Sequence, residues 1–255
     1  MSLDTELVDG VLRLTLDRPA KLNAINHDLR ARLHRALTVD AAAPEVRVVL
    51  LTGAGRAFSA GGDVTEMATS TADTMAKLEA GRVIVEAMAR LPKPVVAGVR
   101  GHAAGAGFSL ALAADLVVAD TTAVFRSVFV HRGLVPDMGA TYWLARQVGL
   151  HRAKEIMLTG RPVGAREAHD LGIVTRLFGP DEFAAGLDGV AAELAQGPTV
   201  AYGATKRLLN VAFEHDLGAQ LDAEALSQVM ATTTQDHAES VAAFLAKRSH
   251  TFRGR

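Results

Sequence analysis

The sequence predicts an α/β fold. Its first half alternates short apolar strands with helical segments. Glycine- and alanine-rich loops follow two of those strands. Beyond about residue 140 the pattern becomes almost wholly helical. Strands that are apolar throughout are buried on both faces, which implies a mostly parallel sheet covered by helices.

Val11–Leu16 (VLRLTL) alternates apolar and polar residues, as a half-buried strand does. Asn26–Thr38 reads as a helix capped by Asn26, with Leu29, Leu33 and Leu37 along one face. Val46–Thr52, Val95–Val99 and Leu116–Ala119 are β-branched apolar runs and read as buried strands. Ala72–Leu91 has helical spacing and stops at Pro92. The run 103–114 (AAGAGFSLALAA) is small and apolar, and reads as a packed helix. Further helices are expected at Thr141–Val148, Arg152–Thr159, Ala165–Leu171, Glu182–Ala195, Val200–His215, Leu217–Thr233 and His237–Ser249, with one strand at Ile173–Leu177. The helical C-terminal third suits a lid or an oligomer-forming arm.

Composition narrows the function. Among 255 residues, 27 Lys+Arg balance 28 Asp+Glu for a net charge of −1, so the basic excess of a nucleic-acid binder is absent. With no cysteine there is no disulfide framework, thiolate metal site or thiol nucleophile. The nine histidines show neither HxH nor HExxH spacing, so no metal site is expected. The opening MSLDTELVDG has no apolar run, so no signal peptide is expected. The apolar run at 103–114 falls short of the ~20 residues a bilayer needs. A cytoplasmic protein without membrane partners is expected.

Two loops could bind a ligand. Gly53–Asp63 (GAGRAFSAGGD) lets backbone approach closely and present free N–H groups, yet lacks both the P-loop lysine and the dinucleotide glycine spacing. A tight turn under a packed helix explains it equally well. Gly101–Gly107 (GHAAGAG) leads into a helix whose unpaired N-terminal amides suit an anion or a developing oxyanion. Close helix–sheet packing would demand the same small residues. Two such loops in one chain point to a pair of N–H donors converging on one oxygen. Asp137, in GLVPDMGA, is a candidate base, although an Asp between a Pro and a helix is often only a cap. Asp115 and Asp120 bracket a strand and read as structural; His102 and His131 lie near the loops. Ser59, Ser109 and Ser127 have no nucleophile-elbow context.

Five segments, in order, resemble the crotonase superfamily of enoyl-CoA hydratases and isomerases: 17–26 (DRPAKLNAIN), 48–64 (VVLLTGAGRAFSAGGDV), 93–119 (KPVVAGVRGHAAGAGFSLALAADLVVA), 133–149 (GLVPDMGATYWLARQVG) and 155–177. The tail 239–255 is similar as well. The resemblance implies a right-handed spiral of ββα units over 1–190, with a helical trimerisation region over 191–255. It further implies an acyl-CoA substrate, coenzyme A entering as part of the substrate with no other cofactor, and a homotrimer or dimer of trimers. The oxyanion hole would use the N–H groups of Gly62 and Ala106. Lys21, Leu22, Ala24, Ala57, Phe58, Ala60, Asp63, Val64, Phe129 and Leu134 would line the substrate and CoA groove. Arg56, Lys247 and Arg248 would meet the nucleotide phosphates.

The departure from the family pattern carries the functional expectation. The two hydratase glutamates would fall at Ser109 and Phe129, and neither side chain can handle a proton and a water. Asp137 falls where the family's Δ3,Δ2-enoyl-CoA isomerases carry a single carboxylate, after a Pro. One carboxylate suffices to move a proton between C2 and C4. An apolar wall of Phe129, Leu134, Val135 and Met138 would raise its pKa. Other crotonase chemistry on acyl-CoA (hydration, hydrolysis or dehalogenation) and a non-catalytic acyl-CoA binder stand as alternatives. Entry of His131 or Glu86 into the pocket is left open.

Overall fold

The computed structural model describes residues 2–66 and 70–255. Its strands are β1 (Leu3–Val8), β2 (Val11–Leu16), β3 (Val48–Gly53), β4 (Ala57–Ser59), β5 (Val95–Val99), β6 (His102–Ala104), β7 (Leu116–Asp120), β8 (Val124–Arg126), β9 (Pro162–Gly164) and β10 (Arg176–Phe178). The helices are α1 (His27–Thr38), α2 (Thr71–Arg90), α3 (Ala106–Leu112), α4 (Ala140–Val148), α5 (Leu150–Thr159), α6 (Ala165–Asp170), α7 (Phe183–Ala195), α8 (Thr199–Val211), α9 (Leu217–Thr232) and α10 (Gln235–Leu245).

The strands form two sheets. A six-stranded sheet runs β1-β2-β3-β5-β7-β10, parallel except for the antiparallel β1–β2 hairpin. A four-stranded sheet runs β4-β6-β8-β9, with β4, β6 and β8 parallel and β9 antiparallel. The chain alternates between them: β3 then β4, β5 then β6, β7 then β8, with a helix after each pair. This is the ββα repeat that the resemblance implied.

The continuous apolar strands are buried on both faces, as their sequence requires. Val49, Leu51, Val95 and Ala97 face the main core with Leu29, Leu33 and Phe108. Val48, Leu50, Val96 and Val118 face Phe183, Leu187, Ala191 and Ala195 of α7. The expected seam at 190 therefore falls inside α7, whose apolar face packs on the sheet as far as Ala195. The helical extension begins after it. There α8 is tied back by Lys206, whose Nζ lies 2.7 Å from Asp115 Oδ2 and donates to the carbonyls of Met88 and Lys93.

Several strand features differ from the sequence reading: the strand expected at Ile173–Leu177 is confined to Arg176–Phe178, and β4, β8 and β9 were not expected. Leu3–Val8 is a strand, paired with Val11–Leu16 through a turn with Asp9 (φ 49°) and Gly10 (φ 80°) in left-handed conformation. Such Asp-Gly turns match strand twist, but alternation fails here because Asp4, Thr5 and Glu6 are all exposed. The stretch 103–114 is not one helix: His102–Ala104 pairs between β4 and β8, and α3 starts only at Ala106. A three-residue strand rich in alanine carries no periodicity of its own.

Asn23 fastens the loop ahead of α1 to this frame. It is fully buried and left-handed (φ 55°). Its side chain accepts from Arg18 N at 2.9 Å and donates to the carbonyls of Ala54 and Ala57 at 2.9 and 2.7 Å. Asn23→Ala leaves those buried groups unpaired, and is expected to destabilise the fold by about 3 kcal/mol in urea titration.

Candidate active site

The two glycine-rich loops meet because their strands are parallel neighbours. Ala57 and Ser59 of β4 lie against His102 and Ala103 of β6, so the chain leaves both strands at the same edge of the small sheet. Gly61 (φ 95°) and Gly105 (φ 52°) turn there. A Cβ on Gly61 would lie 2.7 Å from Ala104 O and 3.3 Å from Ala106 N. The loops thus touch along glycine, and a side chain would fill the space over the Ala106 amide. Ala106 is the first residue of α3, so its N–H has no helical acceptor. Among the described residues, the Gly62 N–H likewise donates to no backbone carbonyl, although its neighbours Ile25 N and Asp63 N do bond across the bridge there. Two free amides therefore open onto one cavity.

That cavity encloses about 400 Å³ and is mainly apolar. The third parallel strand, β8, sends its exit segment along the opposite wall and brings Val128, Phe129, Leu134, Val135, Asp137 and Met138 into the lining. The fourth side is α2, where Thr74, Lys77, Leu78 and Gly81 recur along one helical face. Gly81 is needed for the fit, since a Cβ there would meet Met138 Cγ at 3.0 Å.

Asp137 is not a helix cap. The N-cap of α4 is Gly139, and no side chain caps that helix. Met138 (φ 50°) and Gly139 (φ 75°) are both left-handed, turning the chain sharply just after the aspartate. Asp137 Oδ1 is buried without a hydrogen-bond partner. Burial pushes this carboxyl above the ordinary aspartate range, against the pull of the Arg30 and Lys77 charges. Asp63, the other carboxylate of the lining, is the opposite case. Thr65 donates to it from hydroxyl and amide, Arg18 Nη1 lies 2.8 Å away, and its pKa falls to about 2. It clamps the loop and stays ionised.

Gly62, Ala106, Asp137, Ala60, Asp63, Val64, Phe129 and Leu134 line one cavity. Leu22 sits at its edge, its carbonyl accepting from Ala60 N at 2.8 Å, with Lys21 exposed beside it. Ala24, Ala57 and Phe58 are buried behind the wall, Phe58 completely, so their side chains present no groove surface. Lys247 and Arg248 lie outside the lining, and Arg248 is paired with Glu239. Of the residues at the hydratase glutamate positions, Ser109 is fully buried and bonds back to the Gly105 carbonyl, while Phe129 is part of the apolar wall. Glu86 pairs with Arg82, and the His131 ring lies 3.2 Å from the Gly160 carbonyl; neither lines the cavity.

The chain matches the enoyl-CoA hydratase/isomerase family model over residues 6–255. It belongs to that family. A Rhodobacter capsulatus protein named "probable enoyl-CoA hydratase" is 40% identical over 98% of this chain and 97% of its own. The 1,2-epoxyphenylacetyl-CoA isomerase of Escherichia coli is 38% identical over 96% of each. The solved structure of a Bacillus anthracis enoyl-CoA hydratase superposes with a TM-score of 0.95 at 29% identity, covering both chains entirely. The fold is therefore that of the crotonases, and the protein is a crotonase-family enzyme acting on acyl-CoA thioesters. Among the described residues no helix is long and apolar enough to cross a membrane.

Seven lining residues lay outside the sequence reading: Arg30, Thr74, Lys77, Leu78, Gly81, Val128 and Arg132. The signal for Arg30 was its register, since positions 30, 33 and 37 share the buried face of α1. The α2 set repeats at i, i+3, i+4 and i+7 from Thr74, a pattern visible without coordinates. Filling the gap between the loops should disable the amide pair. Gly61→Ala is expected to lower kcat/KM toward an acyl-CoA substrate about 10²-fold, with circular dichroism unchanged.

Proposed function

We propose that this crotonase-family enzyme shifts a double bond in an enoyl-CoA from the Δ3 to the Δ2 position, with Asp137 as its single acid–base group. Asp137 removes a proton from C2. The C–H electrons pass into a dienolate, whose negative oxygen is held by the Gly62 and Ala106 amides. The same carboxyl then returns the proton to C4, the new double bond lies between C2 and C3, and the thioester carbonyl reforms. No water is consumed. The observation that carries this reading is a carboxylate with one buried, unpartnered oxygen in a cavity whose other described carboxylate is locked to Arg18. A raised pKa suits a group that must both take and give the proton. Hydration is the second reading, favoured by the name of the Rhodobacter capsulatus relative. Against it stand Ser109 and Phe129, which offer no second proton carrier.

Asp137→Asn is expected to abolish conversion of 3-enoyl-CoA to 2-enoyl-CoA, followed by absorbance of the conjugated thioester. Full turnover in that variant would sink the assignment. In the wild type, kcat/KM should rise with pH through a value above the ~3.9 of an ordinary aspartate, because the ionised form is the base. The same substitution should stabilise the fold at neutral pH. The ionised carboxylate is the disfavoured form, so its penalty is absent below the unfolded pKa and complete above the raised folded one. A gain of about 1 kcal/mol, or about 2–3 °C in Tm, is expected by calorimetry.

A homotrimer or dimer of trimers accompanies this reading. Leu209, Phe213, Leu217, Leu226 and Phe244 are each at least 65% exposed on the helical extension, an apolar surface that self-association would cover. Light scattering is expected to give three or six times the chain mass. Leu226→Glu with Phe244→Glu should lower it.

A further inference from the structure

The cavity contains a guanidinium that the proton shift does not use. Arg30 projects from α1 into the lining and is only 6% exposed. Among the described residues its side chain makes no hydrogen bond. Its nearest charged partner is Glu66 Oε2, 4.0 Å from Nη1, and that oxygen already accepts from His27 N at 2.8 Å. Among the described residues, this mostly buried guanidinium is thus left with donors that no hydrogen bond takes up, which favours a ligand that brings acceptors. Arg30 and Asp137 share the cavity yet do not close into an ion pair, so space remains between cation and carboxylate. Lys77 and Arg132 add positive charge to the same lining, while Asp63 is spent on Arg18.

We propose that Arg30 is a specificity residue whose guanidinium receives a carboxylate carried by the acyl chain, so that the pocket selects short dicarboxylic acyl-CoA thioesters. The position limits the chain length. A Cβ on Gly62 would lie 3.9 Å from Arg30 Nη2, so the guanidinium stands beside an amide that faces the thioester oxygen. The second carboxylate must sit within a few carbons of the thioester. A planar donor fork matches a carboxylate in two-point geometry, which a lysine cannot reproduce. The CoA phosphates are poor candidates for this site, because Arg30 is enclosed behind Gly62 rather than at the exposed rim near Lys21. The inference rests on the cavity holding the acyl group, but not on Asp137 moving a proton.

The test uses saturated thioesters, which cannot isomerise: butyryl- against succinyl-CoA, pentanoyl- against glutaryl-CoA, and hexanoyl- against adipyl-CoA, each titrated calorimetrically into the intact protein. In at least one pair the dicarboxylic member is expected to bind about tenfold tighter. Arg30→Met should erase that preference while leaving the monocarboxylic member within about twofold, and Arg30→Lys should restore part of it. No preference in any wild-type pair overturns the proposal, and so does a preference that survives Arg30→Met or disappears only in Lys77→Met. The wild-type comparison stands even if a variant fails to fold. A wild type that prefers the dicarboxylic series yet never isomerises 3-enoyl-CoA would sink the proton-shift reading and leave this one intact.

Discussion

The site depends on the parallel pairing of three very short strands. β4, β6 and β8 run side by side, so the chain leaves all three at one edge of the small sheet. The first exit supplies the Gly62 amide, the second the Ala106 amide, and the third begins the segment that ends at Asp137. Each ββα unit therefore contributes one chemical group, and their convergence follows from strand direction rather than from contacts among the groups. The short strands hold register because neighbouring elements clamp them: Asn23 binds the carbonyls on either side of the turn into β4, and Ser59 Oγ both donates to the Asn23 carbonyl and accepts from Gly61 N.

Electrostatically, the cavity divides its charges by what surrounds them. Asp63 is surrounded by donors and is fixed in its ionised state. Asp137 has none for one oxygen and shares the cavity wall with Phe129 and Met138, so burial dominates. Arg30 and Lys77 face the same space, and both are themselves pushed toward lower pKa by burial. The environment thus holds one carboxylate ionised in a clamp and leaves the other disfavoured in its charged form, as hydrogen bonding and desolvation dictate.

Much of this was legible before any coordinates. The buried strands Val95–Val99 and Leu116–Ala119 stand out because both their faces are covered, so every residue is apolar; the second runs one residue further, to Asp120. Asn26 and the Leu29, Leu33, Leu37 stripe mark α1 by capping and period. The two loops and Asp137 could be read because glycine, a free helix terminus and an isolated acid each have a chemical meaning. The second sheet was not legible. Its strands are three residues long, too short for alternation, and β6 is His-Ala-Ala. Leu3–Val8 was hidden because an edge strand exposed on both faces beyond its first residue need not look apolar. The role of α2 was obscured by its weak amphipathicity: the face that lines the cavity mixes Thr, Lys, Leu and Gly, since it borders a ligand space rather than a packed core.

The left-handed pair Met138–Gly139 separates the aspartate from α4, while the two amides belong to units that close earlier in the chain. On the proposed mechanism, polarising the thioester and choosing which carbon gains or loses hydrogen are therefore inherited on different stretches of polypeptide. A descendant can lengthen, shorten or recharge the stretch between Phe129 and Gly139 and acquire a new reaction, with the device that makes the carbon acidic carried over untouched.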